Sequence, residues 1–266
     1  MLNTIVLDGA GTEGRTSRVI DPVAEQLAAK LSCAVEWQNW AASVMGAGGS
    51  TPWPAASHNA VIRLAHRIRT APPGHRFILL GFSAGCRPVR EFLDSHPELH
   101  HRIAAVGLLA DPWQPHDRQQ HGVPNGAGWG VMGSLPTPLM DRTFWCGHPG
   151  DPICRAAWDS LLRYLTAAAD AVPGGLIRTF LDKARRGRLQ LIPFLGLPPH
   201  EWFAGLGGRI DRSIAEARSY LGDGHTAVYT REFVTIDPDT GREDRRSLAH
   251  RLADSIAWKI THPQST

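Results

Sequence analysis

The sequence predicts a three-layer αβα fold on a central, mostly parallel sheet, and three observations carry that expectation. Short apolar runs at Thr4–Leu7, Ala34–Trp37, Phe77–Leu80, Ile103–Leu109 and Arg142–Cys146 read as strands. The stretches between most of them repeat apolar residues every three or four positions, the period of a helix. Several runs end in loops of Gly, Pro and Asp, such as Asp8–Gly14 and Gly81–Gly85. Strands alternating with helices pack as a parallel sheet covered on both faces. Such a sheet binds ligands outside the carboxyl ends of its strands.

Each element has its own reason. Ser17–Leu31 places Val19, Ile20, Val23, Leu27, Ala28 and Leu31 at helical spacing. Residues Ala41–Ser57 are rich in Gly, Ser, Pro and Trp and read as a loop; His58–Thr70 reads as a helix stopping before Pro72-Pro73. Gln114–Pro138 is polar, glycine-rich and without period, long enough that it is expected to line a site. Arg155–Val172 carries Trp158, Leu161, Leu162 and Leu165 on one side and is broken by Pro173-Gly174-Gly175. From Leu176 to Leu221 only helical patterns follow, including Leu176–Arg186 and Ile210–Leu221. The chain thus divides into a core of residues 1–172 and 222–266 and an all-helical insertion, 173–221, that serves as a lid or as a static cap. Arg245–Ile260, with Leu248, Leu252, Ile256 and Ile260 inward, closes the core.

Composition bounds the function. With 42% hydrophobic and 20% charged residues the 266-residue chain is of ordinary globular type, and a net charge of +3 is too mild to argue for nucleic acid. No apolar run approaches the roughly 18 residues needed to span a membrane. Met1–Gly9 enters a strand directly, with no basic and apolar leader, so synthesis in the cytoplasm without a secretory signal is expected. No His, Cys and Asp cluster has the spacing of a metal site, and neither a metal nor a cofactor is expected. The chain is expected to act as a monomer, without stable membrane insertion.

The most informative stretch is Arg76–Gly85, an apolar strand running into Gly81-Phe82-Ser83-Ala84-Gly85, followed by helical spacing from Cys86 to Leu93. A serine held at a sharp strand-to-helix turn needs neighbours without side chains, and Gly-x-Ser-x-Gly in this context reads as a nucleophile elbow. A serine hydroxyl attacks only when a base takes its proton and an acid orients the base. In the Ser, Asp, His order that goes with this elbow, the base lies downstream among His200, His225, His250 and His262. His225 is preferred, because it follows Gly222-Asp223-Gly224 in a loop re-entering the core. Asp111 and Asp151 both follow strands; Asp151 is preferred, since the loop after the last strand is nearer a C-terminal histidine. Cys146 and Cys154, eight residues apart around a Pro/Gly turn, either close a small disulfide that stiffens the acid loop once in an oxidising compartment or stay as two reduced thiols. The oxyanion is expected to be met by the N–H of Ala84 and by Gly11 or Thr12. Asp111, Trp113, Trp129 and Trp202 are candidates for binding substrate. Gly9-x-Gly11-x-x-Gly14 also matches a dinucleotide loop, but only Glu36 approximates the acidic residue that motif requires.

Gly81–Gly85, the Cys146–Cys154 stretch around Gly150-Asp151-Pro152, His225-Thr226-Ala227-Val228-Tyr229 and the Gly11-Thr12-Glu13 loop resemble the cutinase-like serine esterases of the α/β-hydrolase fold. The long helical interval between Asp151 and His225 resembles the lysin B enzymes of mycobacteriophages, whereas in cutinases this gap is short. Ala84 departs from the Gln that cutinases often carry there. The resemblance implies a mycolylarabinogalactan esterase, cutting the lipid ester that joins mycolic acids to arabinogalactan in the mycobacterial envelope during phage-mediated lysis. It implies Ser83, Asp151 and His225 as the catalytic residues.

Overall fold

The structure, a computed structural model, describes residues 1–12, 18–44, 47–126, 128–160, 162–163, 212–213, 215–216, 218–219 and 223–262. Its centre is a sheet of β1 (Leu2–Leu7), β2 (Ala34–Trp37), β6 (Arg76–Phe82), β7 (Ile103–Leu109) and β8 (Thr143–Cys146) in the order β2-β1-β6-β7-β8. All four pairings are parallel. A parallel sheet buried on both faces selects near-continuous apolar strands, and every residue of β7 is buried.

The period of two then decides which layer each side chain joins. On β6, Phe77 and Leu79 pack with Trp53, Leu64 and Ile68 of α2 (Trp53–Thr70) and with Val89 and Phe92 of α3 (Cys86–Ser95). The alternate residues Ile78, Leu80 and Phe82 pack with Val23 and Leu27 of α1 (Asp21–Leu31) and with Leu252 and Ile256 of the closing helix, Leu248–Thr261. The expected three-layer α/β fold is therefore the one observed. Each such fully buried Leu or Ile contributes about 1.5–3 kcal/mol through removal from water.

Several expected boundaries shift. The loop at 41–57 holds a small sheet of β3 (Ala42–Val44), β4 (Ala47–Gly48) and β5 (Thr51–Pro52), and α2 begins at Trp53 with Pro54 in its first turn, where a missing N–H costs little. The closing helix starts after Ser247, whose hydroxyl accepts the His250 N–H at 3.3 Å. The helix expected over Arg155–Val172 does not start there. One helical turn, α4 (Pro152–Arg155), ends at Ala156, which is extended and bridges Trp129, and Trp158 beyond it is exposed. The closing helix is α5 in this order. Of the insertion expected at 173–221, the described residues 212–213, 215–216 and 218–219 are helical, and the rest, with 164–172, lies outside the described residues. A hairpin of β9 (Thr235–Ile236) and β10 (Glu243–Asp244) leads into α5.

The sheet starts at β1, adds β2 on one side and then crosses to β6 and outward. The strand order therefore reverses between β1 and β6, where parallel sheets open a crevice at their carboxyl ends. Gly85 is what lets the two strand ends close up there. A Cβ on it would lie 2.1 Å from the Leu7 carbonyl oxygen and 2.5 Å from that of Asp8. Both obstacles are backbone and cannot swing away. Gly85→Ala is expected to cost at least the upper part of the about 1–3 kcal/mol typical of overpacking, read as a lowered Tm or loss of soluble protein.

Candidate active site

Ser83 stands at the end of β6, where the strand gives way to a single 3-10 turn, Ser83–Gly85, that continues into α3. Its φ of +52° lies in the left-handed region that a side chain avoids, so the turn holds Ser83 against a local preference. The N–H of Ala84 is among the first-turn amides that a helix start leaves without intrahelical partners. The carbonyl of Ala84 accepts the indole N–H of Trp53 at 3.1 Å, which ties the elbow to α2.

Three side chains distant in sequence meet here. His225 Nε2 lies 2.7 Å from Ser83 Oγ, and His225 Nδ1 lies 2.9 Å from Asp151 Oδ2. Asp151 is fully buried, and its Oδ1 accepts the Ile153 N–H at 2.9 Å, capping α4. The imidazole is also buried and stacks on Phe82, the residue before the serine, at 5.3 Å between ring centres. Tyr229, four residues past His225, sends its hydroxyl to Asp151 Oδ2 at 2.6 Å. Serine, imidazole and carboxylate are thus hydrogen-bonded in a row, with the outer end dry. That arrangement can take a proton from the serine oxygen and return it to a leaving group.

Other expected site residues fall elsewhere in the geometry. Gly11 has φ +78° and packs against Gly48, and its N–H donates to the Ala42 carbonyl at 3.2 Å. The Thr12 hydroxyl donates to the Gly9 carbonyl at 2.9 Å. The Gly11 N–H and the Thr12 hydroxyl are therefore engaged in holding their own loop, and residues 13–17 lie outside the described residues. It is Gly9 that adjoins the elbow: a Cβ there would lie 3.2 Å from the Phe82 ring and 3.8 Å from the Ser83 Cβ.

Asp111 is not a substrate contact. It is fully buried, with Arg90 of α3 reaching both its oxygens at 2.6–3.1 Å and the N–H groups of Trp113 and the Trp145 indole each at 3.0 Å. Arg90 also donates to the carbonyls of Trp113, Leu135 and Pro136, so this pair fastens the polar 114–138 segment to the core. Trp113 packs on Trp53 at 5.8 Å, one ring away from the elbow. Trp129 lies beneath the Arg163 guanidinium at 4.2 Å and beside His116. Trp202 is outside the described residues.

Cys146 and Cys154 are free, buried thiols, not a disulfide. Each sulfur has a different partner. That of Cys146 donates to the Leu248 carbonyl, and that of Cys154 sits 3.4 Å from the Tyr229 hydroxyl. Burial pushes the Cys146 thiol up to about 12 and that of Cys154 well above the usual thiol range, which keeps both protonated and unreactive. Among the described residues no group of three or more His, Cys, Asp or Glu side chains is arranged to hold a metal, and no helix is long and apolar enough to cross a membrane.

Tyr229 and Phe82 hold places at the site that the sequence alone does not assign to them. The signal available for Tyr229 was its place in the His225–Tyr229 stretch, since a tyrosine in an apolar segment needs a partner for its hydroxyl.

No protein-family model and no curated protein matches the chain. Among solved structures it is similar to a cutinase-like protein from Cryptococcus sp., at 18% identity and TM-score 0.47, over 68% of this chain and 94% of that one. It is similar to lysin B from Mycobacteriophage D29, at 16% identity and TM-score 0.47, over 84% and 90%. A third similarity is to the catalytic core domain of acetyl xylan esterase from Trichoderma reesei, at 13% identity and TM-score 0.43, over 66% and 97%. Likeness at this level concerns layout, and the chemistry rests on the geometry of the site.

Proposed function

We propose that this protein is a serine esterase, and the observation that carries it is the unbroken row Ser83 Oγ, His225 Nε2, His225 Nδ1, Asp151 Oδ2 at 2.7 and 2.9 Å. His225 takes the serine proton as Oγ attacks the ester carbonyl carbon. The resulting oxyanion is met by the Ala84 N–H at the start of the elbow turn. Asp151 holds the imidazole in the tautomer that leaves Nε2 free to accept and stabilises the imidazolium that forms. The imidazolium then protonates the departing alcohol, leaving an acyl ester on Ser83. Water enters, gives its proton to His225 and attacks that ester. The carboxylic acid leaves as Ser83 takes the proton back.

The finer reading is an esterase for the bond between mycolic acids and arabinogalactan, acting in phage-mediated lysis of mycobacteria or their relatives. Two sequence features support it: the resemblance of the three catalytic stretches to cutinase-like esterases, and the long interval from Asp151 to His225 that resembles lysin B enzymes. A fluorophosphonate probe is expected to label Ser83, and the protein is expected to release free mycolic acids from delipidated mycobacterial cell wall. Labelling and nitrophenyl-ester turnover without mycolate release would leave a general esterase and remove the envelope role. Absence of labelling at Ser83 would remove the esterase itself.

A further inference from the structure

We infer that Tyr229 is a positioning residue of this site, its hydroxyl fixing the carboxylate of Asp151 against His225. The inference rests on Ser83, His225 and Asp151 acting as the catalytic unit. It starts from an electrostatic problem. Asp151 is fully buried, and among the described residues no lysine or arginine pairs with it. A desolvated carboxylate stays ionised only where donors replace the lost water. Three do so here: the Ile153 N–H on Oδ1, and His225 Nδ1 and the Tyr229 hydroxyl together on Oδ2. The tyrosine bond is the shortest of the three, at 2.6 Å.

The hydroxyl is itself fixed. Tyr229 is fully buried, its oxygen accepts the His148 N–H at 3.1 Å, and its ring meets the edge of Phe82, which stacks on His225. Burial first, and then the charge of Asp151, push the hydroxyl well above the usual tyrosine range, so it remains protonated and can donate. One rigid side chain therefore braces both members of the acid–base pair, the carboxylate by a hydrogen bond and the imidazole through Phe82.

The other titratable groups around the pair are accounted for. The His148 ring accepts the Gly150 N–H and is held uncharged to lower pH by burial. The Cys154 thiol stays protonated, and the Arg155 guanidinium donates to the carbonyls of Pro115, His116, Arg118 and Gly128. Asp223, in the same turn as His225, pairs with Arg231.

Removing the Tyr229 hydroxyl leaves the carboxylate with one donor fewer, which makes it more basic and a stronger holder of the imidazolium. The neutral base then appears only at higher pH. In Tyr229→Phe the acid limb of kcat/KM, which reports the free enzyme, is expected to move up by about half a pH unit to one unit. The plateau kcat is expected to fall about 3–10-fold with KM unchanged, as the carboxylate loses part of its aim. Tyr229→3-fluorotyrosine keeps the hydroxyl and the ring while making it a stronger donor, and is expected to move the limb down by a few tenths of a unit. It serves as the second arm if the Phe variant folds poorly. A lowered Tm with the acid limb unmoved in both variants would show a packing role only and overturn the inference. That outcome, with Ser83 still labelled by fluorophosphonate, leaves the esterase standing. Failure of labelling in the unaltered protein removes both.

Discussion

Asp151→Asn is expected to lower kcat for a nitrophenyl ester by roughly 10⁴ while leaving the fold intact, the scale seen when the acid of such a row loses its charge. The cause lies in which nitrogen of His225 carries the proton. Asp151 Oδ2 accepts from Nδ1, so the lone pair sits on Nε2, 2.7 Å from Ser83. An asparagine can turn its NH₂ toward Nδ1, and the ring then keeps its proton on Nε2, facing the serine it should deprotonate. Burial sharpens the effect, because no water can replace the lost carboxylate at a fully enclosed position. The check is kcat at neutral pH together with an unchanged circular dichroism spectrum. A loss of less than tenfold in a folded variant would mean that Asp151 does not orient the base.

Arg90→Met is the second large effect, and it falls on stability. The guanidinium is nearly buried, with 9% of its side chain exposed, and its partner Asp111 is at 0%. Removing one member leaves an enclosed carboxylate that keeps only the Trp145 and Trp113 N–H groups. Breaking such a pair costs about 3–5 kcal/mol. For a chain of this size that corresponds to a Tm lowered by roughly 10 °C. The double variant Arg90→Met with Asp111→Leu removes the stranded charge and is expected to recover a good part of the loss. Thermal unfolding of the single and double variants measures both, and a single variant within a degree or two of the parent would refute the assignment.

Much of the layered core could be read from the chain because a sheet covered on both faces writes itself as apolar runs. β7, Ile103–Leu109, is legible for that reason. The three strands between Ala42 and Pro52 were not, since two- or three-residue strands hold together through turn contacts such as the Gly49 N–H on the Ala42 carbonyl, which leave no periodicity. In the same stretch, Trp53-Pro54 has the composition of a loop and opens a helix. At the site, chain order together with the place of each loop relative to the strands groups Ser83, Asp151 and His225, and these side chains meet. Asp111 and Asp151 both follow strands, and the preference for Asp151 rests on its loop lying after the last strand; the fold adds the reason in kind, since Arg90 pairs with Asp111. Chain order assigns no task to Tyr229, whose hydroxyl reaches an oxygen 78 positions back along the chain. For the oxyanion loop, a glycine-rich turn signals N–H groups in sequence without saying which are taken, and here the Gly11 N–H is bound by the Ala42 carbonyl.

The closing helix α5 has a consequence in time. It packs beside α1 over one face of the sheet, with Gln26 and Lys30 of α1 both reaching its Asp254. A ribosome makes α1 early and α5 only after every strand of the central sheet. Through most of synthesis the face bearing Ile78, Leu80 and Phe82 has half of its cover missing, and the Leu252 and Ile256 that complete it do not yet exist. Contacts this distant in sequence form slowly and leave apolar surface open to other chains meanwhile. The nascent protein is therefore expected to depend on dilution or on a chaperone until α5 emerges.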